Sequence, residues 1–230
     1  MTRFAFALAA VILLQAPSLS MLLKPDDAEW RQAAPDRFRV DLETNKGGIG
    51  IEVVREWSPN GADRFFNLVR HGYYDGARFF RVIAGQWAQF GINGDPAVSK
   101  VWRTRSIPDD PRVESNRRGT VAYAFRNPNG RTTTQIFINL RDNSQTHDPE
   151  TFVPFGRVVE GMDVVDRLNG EYGERAGGGI RAGRQDPLFS TATSTCGANS
   201  LDWITSSEPE SWQHKDLREV DRGGSRWFNS

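Results

Sequence analysis

Residues 79–91, the most informative stretch of the chain, read Phe79-Phe80-Arg81-Val82-Ile83-Ala84-Gly85-Gln86-Trp87-Ala88-Gln89-Phe90-Gly91. Its first half is rich in aromatic and β-branched residues, which predicts a strand over residues 79–84 packed on both faces. Because side chains alternate along a strand, Arg81 shares one face with Phe79 and Ile83. A cation on such a face is costly unless it has a partner or lines a cavity. The stretch therefore predicts either a pocket that contains Arg81 or a structural ion pair, for which Asp95 is the candidate partner.

Apolar residues that alternate with polar ones predict further strands on both sides of this stretch. The predicted strands cover residues 38–44, 49–53, 119–124, 135–140 and 152–159. Asn127-Pro128-Asn129-Gly130 is a strong turn signal between two of them. Strands that follow one another through short turns predict an all-β domain built on an antiparallel sheet or barrel.

Two helices interrupt the strands. Ser58 is a favourable N-cap before Pro59, and apolar residues at helical spacing predict a helix over residues 59–70. A second, shorter helix is predicted after Gly161. The region from 91 to 118, which holds three prolines, and the Ser/Thr-rich run at 190–195 are predicted loops, with a last strand at Leu201–Ile204.

The composition excludes several classes of function. Lys plus Arg and Asp plus Glu each number 29, so no basic excess favours a nucleic acid as partner. The three histidines show no metal-ligand spacing, and the single cysteine, Cys196, permits no intramolecular disulfide. No Gly-x-Ser-x-Gly motif is present, which leaves a hydrolase triad unsupported. We therefore expect neither a metal nor a cofactor.

The first residues predict export. Arg3 precedes an apolar run, Phe4 to Leu14, that is short for a bilayer span, and small residues follow it at a potential cleavage site. We interpret residues 1–20 as a signal peptide, residues 21–37 as an N-terminal extension, 38–208 as the functional domain and 209–230 as a polar tail. The mature protein is then periplasmic or secreted, a monomer without membrane attachment, and an uncleaved anchor is the alternative.

Three segments, in the correct order, resemble the cyclophilin family of peptidyl-prolyl cis-trans isomerases in its bacterial, exported form. They are residues 79–89, residues 123–139 with Thr134-Gln135-Ile136-Phe137-Ile138, and Phe155-Gly156-Arg157-Val158-Val159-Glu160-Gly161-Met162. The resemblance covers roughly residues 38 to 168. It implies a closed eight-stranded antiparallel barrel capped by two α-helices. The implied activity is rotation about X-Pro bonds in proline-containing segments of unfolded or folding proteins, with no cofactor.

The resemblance also implies roles for individual residues. Arg81 matches the family's catalytic arginine, Gln89 the glutamine that holds the peptide backbone, and Phe137 the floor of the proline pocket. Ala124 and Gln135 match residues of the substrate groove. The remaining candidates for substrate binding, at positions where the chain departs from the family pattern or beside them, are Gln86, Trp87, His147 and Phe152.

The chemistry suits these residue types, because an X-Pro bond isomerises slowly until its C–N resonance is weakened. A permanently charged guanidinium beside the prolyl nitrogen stabilises the twisted amide, and aromatic rings that exclude water strengthen its field. A non-catalytic proline-peptide-binding or chaperone-like module on the same fold is the alternative function. A structural protein that docks through its Arg/Trp-rich tail is a third hypothesis.

Overall fold

The structure of the protein, a computed structural model, describes residues 19–127, 130–170 and 192–194. The strands are β1 (Arg37–Thr44), β2 (Gly47–Val54), β3 (Arg81–Ile83), β4 (Trp87–Phe90), β5 (Thr120–Asn127), β6 (Gly130–Asn139), β7 (Pro154–Glu160) and β8 (Ala192–Ser194). The helices are α1 (Leu19–Leu22), α2 (Pro59–Arg70), α3 (Pro96–Trp102), α4 (Ser144–His147) and α5 (Met162–Asp166). Short 3-10 helices occupy Ala28–Arg31 and Arg55–Trp57.

One antiparallel sheet holds all of these strands, in the order β3-β4-β6-β5-β7-β2-β1-β8. Seven strands lie between residues 37 and 160, and β8 adds three residues along the end of β1. Within the described residues, no pairing joins the edge strands β3 and β8. The antiparallel sheet is confirmed, whereas the expected closed eight-stranded barrel is corrected to an open sheet, because both edge strands are only three residues long.

The helix predicted over residues 59–70 is confirmed, but its N-terminus is capped differently. Ser58 makes no side-chain capping bond to the helix, and its hydroxyl instead donates to Asp110 Oδ2 at 2.6 Å. The same carboxylate accepts from the backbone N–H groups of Asn60 and Gly61. A carboxylate at a helix N-terminus satisfies donors that have no partner in the helix itself. Asp110, which lies 52 positions after Ser58 in sequence, therefore caps the helix in place of Ser58.

Two segments predicted as loop contain regular structure. Asp95 begins α3, because its side chain accepts from Ala97 N and Pro96 follows at the first helical position. We had expected only a proline-rich loop there. Part of the Ser/Thr-rich run at 190–195 is β8, which pairs with Leu42–Thr44. The predicted strand at Leu201–Ile204, the predicted polar tail and residues 1–18 of the predicted signal peptide lie outside the described residues.

The core lies between the sheet and α2. Alternate residues of β1 are buried, as its apolar periodicity predicts, whereas β2 is buried at nearly every position from Ile49 to Val54. Phe65 of α2 packs against Phe155 of β7 and against Tyr74, with ring centroids 5.1 and 5.5 Å apart. The inward face of β3, β4, β5 and β6 is almost fully buried; it comprises Val82, Ala88, Phe90, Val121, Tyr123, Ile136 and Ile138. The opposite face of these strands is therefore the one available for a site.

The segment before β1 is ordered on the domain, although its sequence reads as a polar extension. Trp30 is buried against His71 and Trp102, with ring centroids 4.4 and 4.5 Å apart. The indole N–H of Trp102 donates to the carbonyl of Leu22 at 2.8 Å.

No helix in the described part of the chain is long and apolar enough to cross a bilayer.

Candidate active site

One row of residues crosses four strands on the face opposite the core. Arg81 of β3 pairs with Gln89 of β4, Gln89 pairs with Phe137 of β6, and Phe137 pairs with Ala122 of β5. Directly opposed residues of antiparallel strands project to the same face. A guanidinium, an amide, an aromatic ring and a small methyl group therefore stand side by side, although they come from positions 81 to 137 of the chain.

Hydrogen bonds organise the polar half of this row. Arg81 Nη1 donates to Gln89 Oε1 at 3.2 Å, and Gln89 Nε2 donates to Gln135 Oε1 at 3.1 Å. Both ends of the buried Gln89 amide are thus in use, which fixes its orientation. The guanidinium carbon of Arg81 also lies 5.2 Å from the ring centre of Trp87, a cation–π distance. These contacts hold the half-buried guanidinium over the sheet face.

A tight turn between β3 and β4 positions Arg81 and Trp87. The turn consists of Ala84, Gly85 and Gln86, and Gly85 has φ of 68°, a conformation that glycine adopts without strain. Gln86 N donates to Ile83 O at 2.9 Å, and Gln86 O accepts from Leu140 N at the end of β6. The glycine that breaks the apolar run in the sequence is therefore the residue that folds the hairpin back.

Aromatic rings form the apolar half of the site. Phe137 is 4% exposed and clusters with Ala122 and Ala124, while Trp87 and Phe152 pack on the cluster from outside. Phe152 meets Phe137 edge to face at 5.2 Å. Phe152 also stacks on Phe125 at 4.2 Å. His147 completes the wall, with its ring centre 5.3 Å from that of Phe137 and 5.4 Å from that of Trp87.

Buried amides hold the loop that carries His147 and Phe152 against the sheet. Asn116 Nδ2 donates to Asp148 Oδ1 and to Phe152 O, at 2.8 and 2.9 Å. Asn139 Oδ1 lies 3.2 Å from His147 Nδ1. Burial is the main cause that lowers the pKa of His147 below its usual 6.5, so the ring is neutral at pH 7.

The nine candidate residues from the sequence are distributed over both halves of the site. Arg81, Gln89 and Gln135 form the polar half, and the apolar half contains Trp87, Ala124, Phe137, His147 and Phe152. Gln86 takes part through its backbone carbonyl, which accepts from Asn143 Nδ2, and its side chain is half-buried in the turn. The roles of these residues in binding or catalysis remain predictions.

Sequence reasoning missed several residues that build the site. Ala122 was missed because only strand register places it beside Phe137. Phe125 of β5 was not singled out from the sequence, although its ring stacks on that of Phe152. The supporting amides of Asn116, Asn139 and Asn143 carry no local motif, since they meet only when the segment before β5, the end of β6 and the loop after β6 fold together.

This arrangement suits electrostatic stabilisation of a neutral substrate. It offers a fixed positive charge and an oriented amide beside rings that exclude water, and such pre-organised groups are strongest where water is absent. Within the described residues, no cluster of three or more His, Cys, Asp or Glu side chains has the geometry of a metal site. A separate open cleft between the N-terminal segment and α3 shares no residue with this site.

Comparisons with known proteins agree on one family. The family model described as cyclophilin type peptidyl-prolyl cis-trans isomerase/CLD matches residues 39–183. A peptidyl-prolyl cis-trans isomerase of Acinetobacter baylyi is 33% identical over 132 residues, covering 56% of this chain and 70% of the relative. Peptidyl-prolyl cis-trans isomerase B of Escherichia coli is 29% identical over 161 residues, covering 67% and 98% of the two chains.

A solved structure shows likeness at the level of fold. It is a cyclophilin type peptidyl-prolyl cis-trans isomerase of Cryptosporidium parvum, crystallised in the presence of the dipeptide Ala-Pro. The TM-score is 0.50 at 19% sequence identity, with 68% of this chain and 96% of that chain covered.

Proposed function

Because the chain belongs to the cyclophilin-type peptidyl-prolyl cis-trans isomerase family, we propose that Arg81, Gln89 and Phe137 carry its isomerase reaction. The substrates in this proposal are proline-containing segments of exported proteins that are still folding. The family supplies the reaction, rotation about X-Pro bonds. The residue roles, the compartment and the client proteins are our proposal.

Arg81 acts on the transition state. The barrier to rotation about the peptide bond is roughly 18–20 kcal/mol, because C–N resonance is lost as the bond twists. The lone pair then gathers on the prolyl nitrogen, where a guanidinium donor is attractive. A charge that interacts better with the twisted form than with the planar one raises kcat rather than affinity. No nucleophile or proton transfer is required, because the reaction is a rotation about the C–N bond.

Phe137 and its neighbours bind the proline ring. Phe137 forms the floor, the small side chains of Ala122 and Ala124 leave room beside it, and Trp87 and Phe152 form the walls. Burial of an apolar ring against aromatic carbon is favourable in proportion to the area removed from water. The same burial excludes water from the neighbourhood of Arg81 and so strengthens its electrostatic effect.

Gln89 and Gln135 hold the peptide backbone. Their side-chain amides are linked to each other and, through Gln89, to Arg81. An amide whose orientation is fixed in advance loses little entropy when a peptide carbonyl or N–H binds to it. These residues therefore fix the position of the amide that precedes the reacting bond.

The observation that carries this proposal is the Arg81–Gln89–Phe137–Ala122 row, in which adjacent strands place charge, amide and apolar floor in direct register. Arg81 is held by Gln89 at 3.2 Å and by the face of Trp87, so its donors stay near the floor. Such placement is what electrostatic catalysis requires, since the groups need no reorganisation during the reaction.

Export is proposed from the sequence alone. A short positive region, an apolar run and small residues at positions 18–20 are the order of features in a signal peptide. The measurement is N-terminal sequencing of the protein recovered from the periplasm and from the medium of a bacterial host. A mature N-terminus near residue 21 supports export, and an intact Met1 in the cytoplasmic fraction contradicts it.

The catalytic proposal is tested with a proline peptide whose cis and trans forms are followed by NMR exchange. Arg81→Ala is expected to lower kcat/KM at least about tenfold, equal to about 1.4 kcal/mol of transition-state stabilisation, with little loss of thermal stability. Arg157→Ala is the matched control, because the side chain of Arg157 makes an exposed ion pair with Glu52 and belongs to neither half of the site. Full activity in the Arg81 variant contradicts the proposal.

The proposed monomeric state is tested separately, by light scattering of the same samples.

A further inference from the structure

His147 stands where the loop after β6 meets the floor of the site. Its ring centre lies 5.4 Å from that of Trp87, 5.3 Å from that of Phe137 and 5.0 Å from that of Phe152. The residue is 8% exposed. Unlike the other rings of this group, the imidazole of His147 has two nitrogens. Whether each nitrogen donates or accepts a hydrogen bond determines which ligand group it can bind.

A chain of hydrogen bonds that starts at a backbone carbonyl fixes one of these nitrogens. Asn143 Nδ2 donates to Gln86 O at 2.9 Å. Because a carbonyl oxygen only accepts, the side-chain atom of Asn143 that faces Gln86 O must be its nitrogen. Its second proton is donated to Asn139 Oδ1 at 2.7 Å. The atom of Asn139 on this side must therefore be its oxygen, because two amide nitrogens do not pair.

The other end of Asn139 gives the same answer independently. Thr120 Oγ1 donates its only proton to Arg117 O at 2.7 Å, so toward Asn139 it can only accept. Asn139 Nδ2 donates to it at 2.9 Å. With the amide oriented from both ends, Asn139 Oδ1 is an acceptor for His147 Nδ1 at 3.2 Å, and Nδ1 carries the proton of the neutral ring.

The remaining nitrogen of His147, Nε2, is then an acceptor. Among the described residues, no group donates to Nε2. The Nε2 atom is also not buried away from solvent, so a ligand can reach it. The side chains of Phe137 and Phe152 beside it have no hydrogen-bonding atom, and the only polar atom of the Trp87 side chain is a donor. An acceptor that lies in an aromatic wall and is open to solvent suits a ligand that brings an N–H group to the floor of the site.

We propose that His147 is a substrate-binding residue whose Nε2 accepts a hydrogen bond from a backbone N–H of the bound peptide, beside the proline ring. This inference rests on the proposed function, because it places the peptide on Phe137. Proline itself has no N–H, so the donor is the N–H of the residue before it or of the residue after it. His147 thereby orients the peptide along the groove, complementary to the polar half at Arg81 and Gln89.

The same bond makes peptide binding sensitive to acid. Protonation at Nε2 replaces the acceptor with a donor, and the imidazolium then repels the peptide N–H. The charged groups around the ring are Asp148 and Glu150, which favour the proton, and Arg141, which opposes it. Arg81 adds a further positive charge, because its guanidinium carbon lies 5.2 Å from the centre of the Trp87 ring that packs on His147. Burial outweighs the two carboxylates, so the pKa of His147 is lowered and the acceptor persists at neutral pH.

The direct test compares ester analogues of the proline peptide on the wild type and on His147→Phe. Each analogue replaces one of the two candidate N–H groups with an ester oxygen. One analogue is expected to lose about fivefold in kcat/KM on the wild type, the size of one neutral hydrogen bond, and less than about twofold on the variant. Equal losses on both proteins overturn the proposal. A wild type that does not isomerise the parent peptide contradicts the proposed function instead.

A pH profile separates this role from a structural one. For the wild type, KM is expected to rise with kcat unchanged as the pH falls through the pKa of His147, which burial places below the usual 6.5. In His147→Gln, whose amide oxygen still accepts but does not titrate, this acid limb is expected to vanish. A limb that persists in His147→Gln, or a wild-type KM that stays constant down to the pH at which the protein unfolds, contradicts the proposal. Gln145→Leu, on the exposed side of α4, is the control for disturbance of the helix.

Discussion

The two halves of the site differ in how they are held. Arg81 is half-buried near one edge of the sheet and is held by single contacts with Gln89 and Trp87, among others. Phe137 lies on the inner strand β6 and is nearly fully buried among rings and methyl groups. Substitutions in the polar half should therefore change the rate and spare the fold. Substitutions in the apolar half should change both.

The largest effect is expected at the floor. Phe137→Ala removes a buried ring and should lower the free energy of unfolding by about 3–5 kcal/mol. Phe38→Ala is the matched control, because Phe38 is equally buried, at 5% exposure, and packs on Phe66 rather than in the site. Urea unfolding should show similar losses for both variants.

Peptide kinetics on the folded fraction then separate the two phenylalanines. Phe137→Ala should raise KM about tenfold, and Phe38→Ala should leave KM unchanged. If Phe137→Ala does not fold, Phe137→Leu retains most of the buried volume and is measured in its place. Equal KM values for the site and control variants would show that Phe137 is part of the core only.

A smaller loss, in rate alone, is expected at Gln89. Gln89→Leu keeps the side-chain volume but removes the acceptor for Arg81 and the donor to Gln135. The expected result is a fall in kcat/KM of about tenfold with a change in unfolding free energy under about 1 kcal/mol. Gln145→Leu is the control. A variant that is markedly unstable yet fully active would reverse the assignment of the polar half to catalysis.

The cap of α2 shares no residue with either half of the site, so its loss should affect stability without affecting activity. Asp110→Ala removes the carboxylate that accepts from Asn60 N and Gly61 N, and should cost about 1–2 kcal/mol in urea unfolding. Glu43→Ala, on the exposed side of β1, is the control. Any fall in kcat/KM for Asp110→Ala would show that the helix and the site are coupled.

The smallest effect is a pH dependence of stability. Burial is the main cause that lowers the pKa of both His71 and His147. The unfolded chain then binds protons more readily than the folded one, so the free energy of unfolding falls as the pH drops below about 6.5. Urea midpoints between about pH 7.5 and pH 5.5 measure this fall. It should shrink in His71→Gln and in His147→Gln, and a midpoint that rises on acidification would contradict it.

The sequence was most informative where the pattern is local. The helix over residues 59–70 follows from its apolar spacing, and the strand segments follow from alternation. Arg81, Gln89 and Phe137 were identified through a resemblance in three short segments, since composition alone assigns them no role. Asp95 shows the limit of the residue-level reasoning, because it was weighed as an ion-pair partner of Arg81 and it caps α3.

What the sequence did not predict depends on contacts between distant residues. Asp110 reaches α2 across 50 positions, and Trp30 folds onto Trp102 across 72. Ala122 joins the site only through the register of β5 on β6. The extent of sheet closure was also mispredicted, because three-residue edge strands give little periodicity to read. Such features follow from tertiary packing, which overrides local propensity.

The most direct test of the account replaces Arg81 by citrulline, introduced by semisynthesis. Citrulline keeps the length and planar shape of the side chain but carries no charge, so binding of the peptide should be retained. If the fixed positive charge stabilises the twisted amide, kcat falls at least about tenfold while KM stays within about twofold. Retention of the wild-type kcat by the citrulline protein would contradict the central claim.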